Sequence, residues 1–323
     1  MAVKILYAGS PEPAKKALEI LFRNQSQYNF EIVGVLSNPP TAKGRHKALT
    51  PTPVAGFALE NNIPTFTPEH LNAEAREAIS PLKPDLLVCF AYGHIFGPKF
   101  LGMFPMGGIN LHPSLLPKYR GCTPVNAAII NRDKETAITI QTISQAMDEG
   151  DILRQQKVEL NFTETSVSLL DYSAEVGASL ISDILKETSD NNSLPVGKKQ
   201  EGEASYTSVI TKNDAKIDWS ESADVIEAKI RGYYLDPCTW CMDKEETLKL
   251  IKAFVIEEND ERAKQYLNEE QGKVLAFVKS EGIYIKTSNG ILVVTELQKQ
   301  GKKAMNYKDF MNGARDFIGT VLN

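Results

Sequence analysis

Val3-Lys-Ile-Leu-Tyr-Ala-Gly-Ser-Pro-Glu-Pro-Ala-Lys-Lys-Ala-Leu-Glu-Ile-Leu-Phe22 decides the fold. Val3–Ala8 is a short apolar strand that stops at Gly9. Apolar residues then fall at 14, 17, 18, 21 and 22, the spacing of a helix face. The same alternation continues outward. Glu31–Leu36 reads as a strand, and Pro51–Glu60 as a helix with Pro in its opening turn. Asp85–Phe90, Gly108–Leu111 and Thr136–Ile143 are further strands. In the last, Ile138 and Ile140 face one side, Thr139 and Gln141 the other. Val167–Leu185 is a long helix with Leu170, Ala174, Gly177 and Ile181 along one stripe. Such alternation predicts an α/β fold: a Rossmann-like, mostly parallel sheet with helices on both faces.

Residues 187–207 break the pattern. The run is polar and turn-rich, and reads as an interdomain linker partly ordered against the first domain. Beyond it, one amphipathic helix (Ser222–Arg231) precedes short strands at Lys273–Lys279, Gly282–Thr287 and Ile291–Leu297. Asn289-Gly290 between two of them is a hairpin signal. This spacing suggests a small antiparallel barrel. The 323 residues therefore divide into an α/β domain at 1–187, a linker at 188–207 and a barrel domain at 208–323.

Composition narrows the class. With 42% hydrophobic and 24% charged residues the chain has enough apolar material to fold. No apolar run approaches the roughly 18 residues of a membrane span. Met1 leads straight into a strand, unlike a signal peptide, and four cysteines make no disulfide framework, so a reducing cytoplasm is expected. The net charge is −5, with neither half basic, so any nucleic-acid contact must rest on local patches.

The first turn, Ala8-Gly9-Ser10-Pro11-Glu12-Pro13, carries one glycine where a dinucleotide fingerprint needs three; a helix N-terminus suited to an anion fits better. Asn110-Leu111-His112-Pro113 is the strongest feature. Asn110 and His112 share one strand face, and Pro113 ends the strand, so the pair sits where open α/β sheets bind ligands. An amide that can donate to an oxyanion beside an imidazole that can move a proton suits acyl transfer. Spacing alone leaves open a strand end that merely carries two polar residues. Met147-Asp148-Glu149-Gly150-Asp151 follows the next strand. A carboxylate there could orient His112, although chemistry alone does not separate Asp148 from Asp151, and an acidic surface turn is the plainer reading. Cys238-Thr-Trp-Cys241 lacks the second pair a zinc site requires, so no metal is expected.

Asn110-x-His112 with Ser114-Leu-Leu-Pro-x-x-Arg-Gly, followed by Asp148-x-Gly-Asp, resembles the folate-dependent formyltransferase family. The resemblance implies a Rossmann-like domain that takes 10-formyltetrahydrofolate as formyl donor, with Asn110, His112 and Asp148 as the catalytic set. It places Ser114, Leu115, Leu116 and Pro117 on the folate-contacting loop, and Phe90 and Tyr92 beside the pteridine pocket. It continues through Lys216-Ile-Asp-Trp219 and Leu297-Gln-x-x-Gly301-Lys-Lys-Ala-Met, where it implies an OB-like C-terminal domain of the kind found in members that formylate methionyl-initiator tRNA. In those members a basic loop after the second strand enters the acceptor stem. Here Thr41-Ala-Lys43-Gly-Arg45-His-Lys47 has three cations and no carboxylate, with Arg45 in the key position. Lys302 and Lys303 lie in a second acid-free stretch, 298–308. The resemblance further implies a monomer. The chain departs from the family pattern at Asn38-Pro39-Pro40 and at Tyr233-Tyr-Leu-Asp-Pro237-Cys-Thr-Trp240.

An amino-sugar-nucleotide formyltransferase and a formyltetrahydrofolate hydrolase are the alternatives within the family. A non-catalytic RNA-binding module is the alternative outside it. The basic loop separates the first from a tRNA enzyme, an acceptor-free turnover would mark the second, and the Asn/His/Asp set opposes the third.

Overall fold

A computed structural model describes residues 2–43, 48–314 and 316–323, with the Lys43 side chain excluded. The chain forms two compact units. Met1–Pro124, Glu135–Glu159 and Leu169–Ser208 make the first; Val125–Lys134, Leu160–Ser168 and Val209–Asn323 make the second.

The order along the chain begins β1 (Val3–Gly9), α1 (Glu12–Tyr28), β2 (Phe30–Leu36), β3 (Thr41–Lys43), β4 (Ala48–Thr50), α2 (Pro53–Glu60), β5 (Thr65–Phe66), α3 (Ala73–Ile79) and β6 (Leu86–Phe90). It continues with α4 (Pro98–Leu101), β7 (Gly108–His112), β8 (Arg120–Gly121), α5 (Pro124–Ile130), β9 (Glu135–Thr142), β10 (Ile152–Glu159), α6 (Ser166–Asn191) and β11 (Tyr206–Thr207).

Seven strands form one sheet in the order β10-β9-β7-β6-β1-β2-β5. The run from β7 to β5 is parallel; β9 and β10 join antiparallel. Period-two alternation in β1 divides the packing. Ile5 and Tyr7 enter a core with Leu18 and Leu21 of α1 and Ile181 and Leu185 of α6. Leu6 and Ala8 enter a second core with Ile79 of α3 and Phe100 of α4. Both faces are thus covered, the arrangement a parallel sheet needs because its strands are apolar on both sides. Tyr7 is buried without cost to its hydroxyl, which donates to the Ala14 carbonyl at 2.7 Å.

Helix α6 approaches the sheet closely through Gly177, where a Cβ would stand 2.0 Å from Leu111 Cδ1. It reaches Asn191, beyond the expected end at Leu185, and so runs into the stretch read as a linker. The rest of that stretch is ordered against the first unit. Lys198 bridges Ile152, and β11 pairs in parallel with β8.

The second unit contains α7 (Ala223–Gly232), β12 (Trp240–Asp243), β13 (Glu246–Ile256), α8 (Glu261–Lys264), β14 (Val274–Val278), β15 (Gly282–Lys286), β16 (Ile291–Lys299), β17 (Met305–Asn306) and α9 (Tyr307–Asn312). Its antiparallel sheet has the order β12-β13-β16-β15-β14, with β17 beside β16. The sheet curls into a half-barrel, and residues 319–323 bond to both of its edge strands. Gly319 and Thr320 exchange backbone bonds with Val274 at one edge, and Asn323 exchanges them with Met242 at the other. These bonds partly cover the edges, which otherwise invite pairing with other chains. Ile226 and Ile230 of α7 and Phe310 and Met311 of α9 pack into the half-barrel's core. β12 and β13 were not anticipated from the sequence. Among the described residues, no helix is long and apolar enough to cross a membrane.

Candidate active site

The sheet places β6 and β7 side by side, with Cys89 opposite Asn110. Their carboxyl ends, and the loops that follow, lie on the side where open α/β sheets bind ligands. β7 runs one residue further than expected and ends on His112 itself. His112 is 4% exposed. Its Nε2 lies 2.9 Å from the Tyr119 carbonyl oxygen, which can only accept, so Nε2 carries a proton and donates. In the neutral ring Nδ1 is then the free base. It stands 3.6 Å from Asp148 Oδ1, beyond a direct hydrogen bond but close enough to attract an imidazolium. Burial pushes the His112 pKa down, opposed by the Asp148 charge and by the bond to Tyr119; the net direction is downward, so the ring rests neutral.

Asp148 is held by other groups. Gln141 Nε2 donates to Oδ1 at 2.8 Å, and the Gly121 backbone N–H donates to Oδ2 at 2.8 Å. Asn110 Nδ2 adds a long contact to Oδ1 at 3.4 Å. Asn110 and Gln141 meet because β7 and β9 pair them in register, which puts both on the face that carries His112. The Asp148 backbone is left-handed, at φ 54°.

Asn110, His112 and Asp148 therefore converge at one strand end. The Ser114–Pro117 segment lies next to them and divides by burial. Ser114 is fully enclosed, its hydroxyl donating to the Lys118 carbonyl at 2.6 Å while its own carbonyl accepts from Thr139 Oγ1 at 2.7 Å. Leu116 is also buried, whereas Leu115 and Pro117 are half-buried. Phe90 and Tyr92 are buried as well. Tyr92 stacks on Phe96 with ring centres 5.4 Å apart, and its hydroxyl pKa is pushed up to about 12, chiefly by burial. Around them Ala91, Gly93 and His94 are exposed.

Arg45 and Lys47, with the Lys43 side chain, lie outside the described residues. Lys302 and Lys303 are exposed, in the turn after β16. Beside that turn the second unit has a groove of about 370 Å³ lined by Lys212, Lys249, Lys299, Thr247, Gln298 and Gln300. Lys212 stands over the Trp240 ring at 5.1 Å, and Lys299 over Phe310 at 4.9 Å. The unit's ion pairs instead occupy cations such as Lys229, Lys252 and Arg262. Cys238 and Cys241 are buried against the Leu250 and Leu248 carbonyls.

Sequence reasoning missed Gln141, Tyr119, Gly121, Gln200, Lys212 and Lys249 as parts of these sites. Gln141 had a signal: it shares a strand face with Thr139. Its register against Asn110, which gives that face a meaning, is tertiary.

The profile described as "Formyl transferase" matches residues 2–185, and that described as "Formyl transferase, C-terminal domain" matches 209–315. A methionyl-tRNA formyltransferase of Treponema denticola is 42% identical over 98% of both chains. One of Borrelia hermsii is 36% identical over 99% of this chain and 100% of its own. Among solved structures, a sugar 3N-formyl transferase determined with dTDP and 5-N-formyl-THF superposes with a TM-score of 0.62 at 21% identity, covering 94% of this chain and 100% of its own. A methionyl-tRNA formyltransferase from Clostridium thermocellum superposes at 0.56 with 17% identity, covering 80% and 95%. At such identities these two structures establish the fold alone.

Proposed function

The chain belongs to the formyl transferase family, and on that premise we propose that it transfers the formyl group of 10-formyltetrahydrofolate to the α-amine of methionyl-initiator tRNA. The reading makes it a cytoplasmic, monomeric enzyme of translation initiation. The observation that carries it is the convergence of Asn110, His112 and Asp148 at the carboxyl end of β7, in a chain whose relatives of that name match it from end to end.

The folate supplies the formyl carbon. Leu115 and Pro117 offer it half-exposed apolar surface, and Ala91 and Gly93, after β6, are exposed. The remaining steps fall to side chains. As the amine attacks, negative charge develops on the formyl oxygen, and Asn110 Nδ2 donates to it. Its resting contact to Asp148 is long, so little is lost when the amide turns to the substrate. The attacking amine becomes cationic and must lose a proton. His112 Nδ1 is unprotonated at rest and takes it. The imidazolium then faces the Asp148 carboxylate at 3.6 Å, with Nε2–H still bonded to Tyr119. His112 returns the proton to the departing folate nitrogen as the carbon–nitrogen bond breaks, leaving a formamide, tetrahydrofolate and neutral His112. Asp148 is not protonated in this cycle; it stabilises charge, as carboxylate partners do in triads.

RNA contact is assigned to Lys43, Arg45 and Lys47 after β2 and to Lys302 and Lys303 after β16. The groove of Lys212, Lys249 and Lys299 extends the second patch. Phosphates can be met by such patches whatever the net charge.

The test assays labelled formyl transfer to methionyl-initiator tRNA, methionyl-elongator tRNA and an amino-sugar nucleotide in parallel. The initiator tRNA is expected to be formylated fastest, and Asn110→Ala and His112→Ala to lose about 10²–10³ in kcat. Faster transfer to the sugar nucleotide, or near-native turnover in both variants, refutes the proposal.

A further inference from the structure

Gln200 lies in the stretch that sequence marks as a linker, yet its side chain makes five hydrogen-bonding contacts. Nε2 donates its two hydrogens to the Asp148 carbonyl at 2.7 Å and the Gly150 carbonyl at 2.9 Å, with Gln141 Oε1 a third, shared acceptor at 3.2 Å. Oε1 accepts from Arg120 Nε at 3.1 Å and Nη2 at 2.9 Å. Arg120 is itself tied to Glu149 at 2.7 Å and to the Tyr206 hydroxyl at 2.9 Å.

These bonds surround the catalytic loop. Asp148 holds a left-handed backbone, a conformation that a residue with a Cβ adopts less readily than glycine, so the contacts around it help to fix it. Gln200 braces this loop by donating to the carbonyls of Asp148 and Gly150. It also restrains Gln141, which donates to the carboxylate.

Strand β8 is the second lever. Its Gly121 N–H donates to Asp148, and the adjoining Tyr119 carbonyl accepts from His112. One short strand therefore touches both members of the pair. Its outer neighbour is the same post-helix segment: Arg120 N–H donates to the Ser205 carbonyl at 2.8 Å, and Tyr119 N–H to Ser205 Oγ at 2.9 Å. The approach is close. A Cβ on Gly121 would stand 2.4 Å from the Thr207 carbonyl oxygen.

We propose that residues 198–207, with Gln200 at their centre, are a positioning element of the catalytic site, fixing Asp148 and β8 and through them the proton chemistry of His112. This rests on the catalytic reading of Asp148 and His112 above. Gln200 touches no substrate in this scheme; it acts through Asp148.

A double-variant cycle in the full-length protein tests it. Gln200→Met keeps the volume and removes all five contacts; Gln200→Glu keeps the acceptor for Arg120 and loses the three donated contacts. Each is made alone and with Asp148→Asn, and single-turnover formyl transfer at saturating substrates is measured together with folate KM and the thermal midpoint. Each Gln200 variant should slow transfer about tenfold or more in the native background and less than about twofold with Asp148→Asn, since residues that act through one group are not additive. Folate KM should stay within about twofold, because positioning acts on the reacting state rather than on uniform binding. Equal losses in both backgrounds, or no loss in the native one, overturn the proposal and leave the catalytic reading standing. Native-rate transfer by Asp148→Asn alone overturns the catalytic reading and this proposal with it. If Gln200→Met does not fold, Gln200→Glu decides by the same criteria.

Discussion

Gly150→Ala should disable the site by displacing a backbone. Gly150 is buried two residues after Asp148, where the loop folds back on β9. Thr142 N–H donates to the Asp151 carbonyl, and Asp151 N–H to Thr142 Oγ1, both at 2.9 Å. A Cβ on residue 150 would stand 1.6 Å from the Thr142 carbonyl oxygen and 2.9 Å from Thr142 Oγ1. That is roughly 2 Å closer than an ordinary van der Waals contact, which falls near 3.5 Å. The obstacle is backbone within a sheet, so the loop must move. A shift of about 2 Å stretches any bond at 2.8 Å past the ~3.5 Å limit of hydrogen bonding, so Gln141 and Gly121 would lose Asp148. A misplacement of about 1 Å can cost 10² in rate, so kcat should fall by about 10² or more. Overpacking of this kind costs about 1–3 kcal/mol, so the thermal midpoint should drop by several degrees. The control is Gly56→Ala. Gly56 lies in α2 with nothing within 4 Å of its Cβ position, and alanine there should leave turnover unchanged and stabilise by about 0.5–1 kcal/mol. Single-turnover transfer and calorimetry on both variants decide. Native turnover in Gly150→Ala with an unchanged midpoint would refute the steric argument.

The remaining predictions concern protons and salt. Turnover should fall on the acid side with a midpoint below the ordinary histidine value, because the proposed mechanism uses the base form of His112 and burial lowers its pKa; an acid limb above that value in a kcat–pH profile would contradict this. The same shift makes a stability statement. A histidine with a lowered folded pKa contributes stability that is present above the unfolded pKa and lost as pH falls through the folded one. His112→Gln should flatten that loss in denaturant titrations. For RNA, Lys212→Gln and Lys299→Gln should each lower the slope of log affinity against log salt by about 0.7–0.9, the effect of one phosphate contact; an unchanged slope in filter binding would remove these lysines from the interface.

Much of the fold was legible because it rests on local periodicity. Alternation of apolar strands with helices announced the doubly covered sheet, and strand-rich spacing announced the curled antiparallel sheet. β12 and β13 escaped. β13 begins Glu246-Thr-Leu-Lys-Leu and carries lysines at 249 and 252, so its pattern marks a partly exposed strand only once β16 is known to lie beside it. The terminus was invisible for a related reason. Residues 319–323 join β12 and β14 by backbone bonds, which leave no mark on side-chain composition.

Asn110 and His112 were readable because two residues on one strand share a face and Pro113 fixes where that strand ends. Asp148 was separable from Asp151 only in the fold, where Asp148 accepts from Gln141 and Gly121. Local sequence by itself determined the alternating elements and the strand-end pair, since each depends on residues a few positions apart; that 125–134 and 160–168 group with the second unit is a tertiary fact. The tertiary structure alone decided which carboxylate faces His112, which tautomer His112 holds and which groups orient it. Tyr119, Gly121, Gln141 and Gln200 reach the site from scattered positions, several through backbone atoms or a single amide. No periodicity marks such groups; only the register of β7 on β9 and of β11 on β8 brings them into contact.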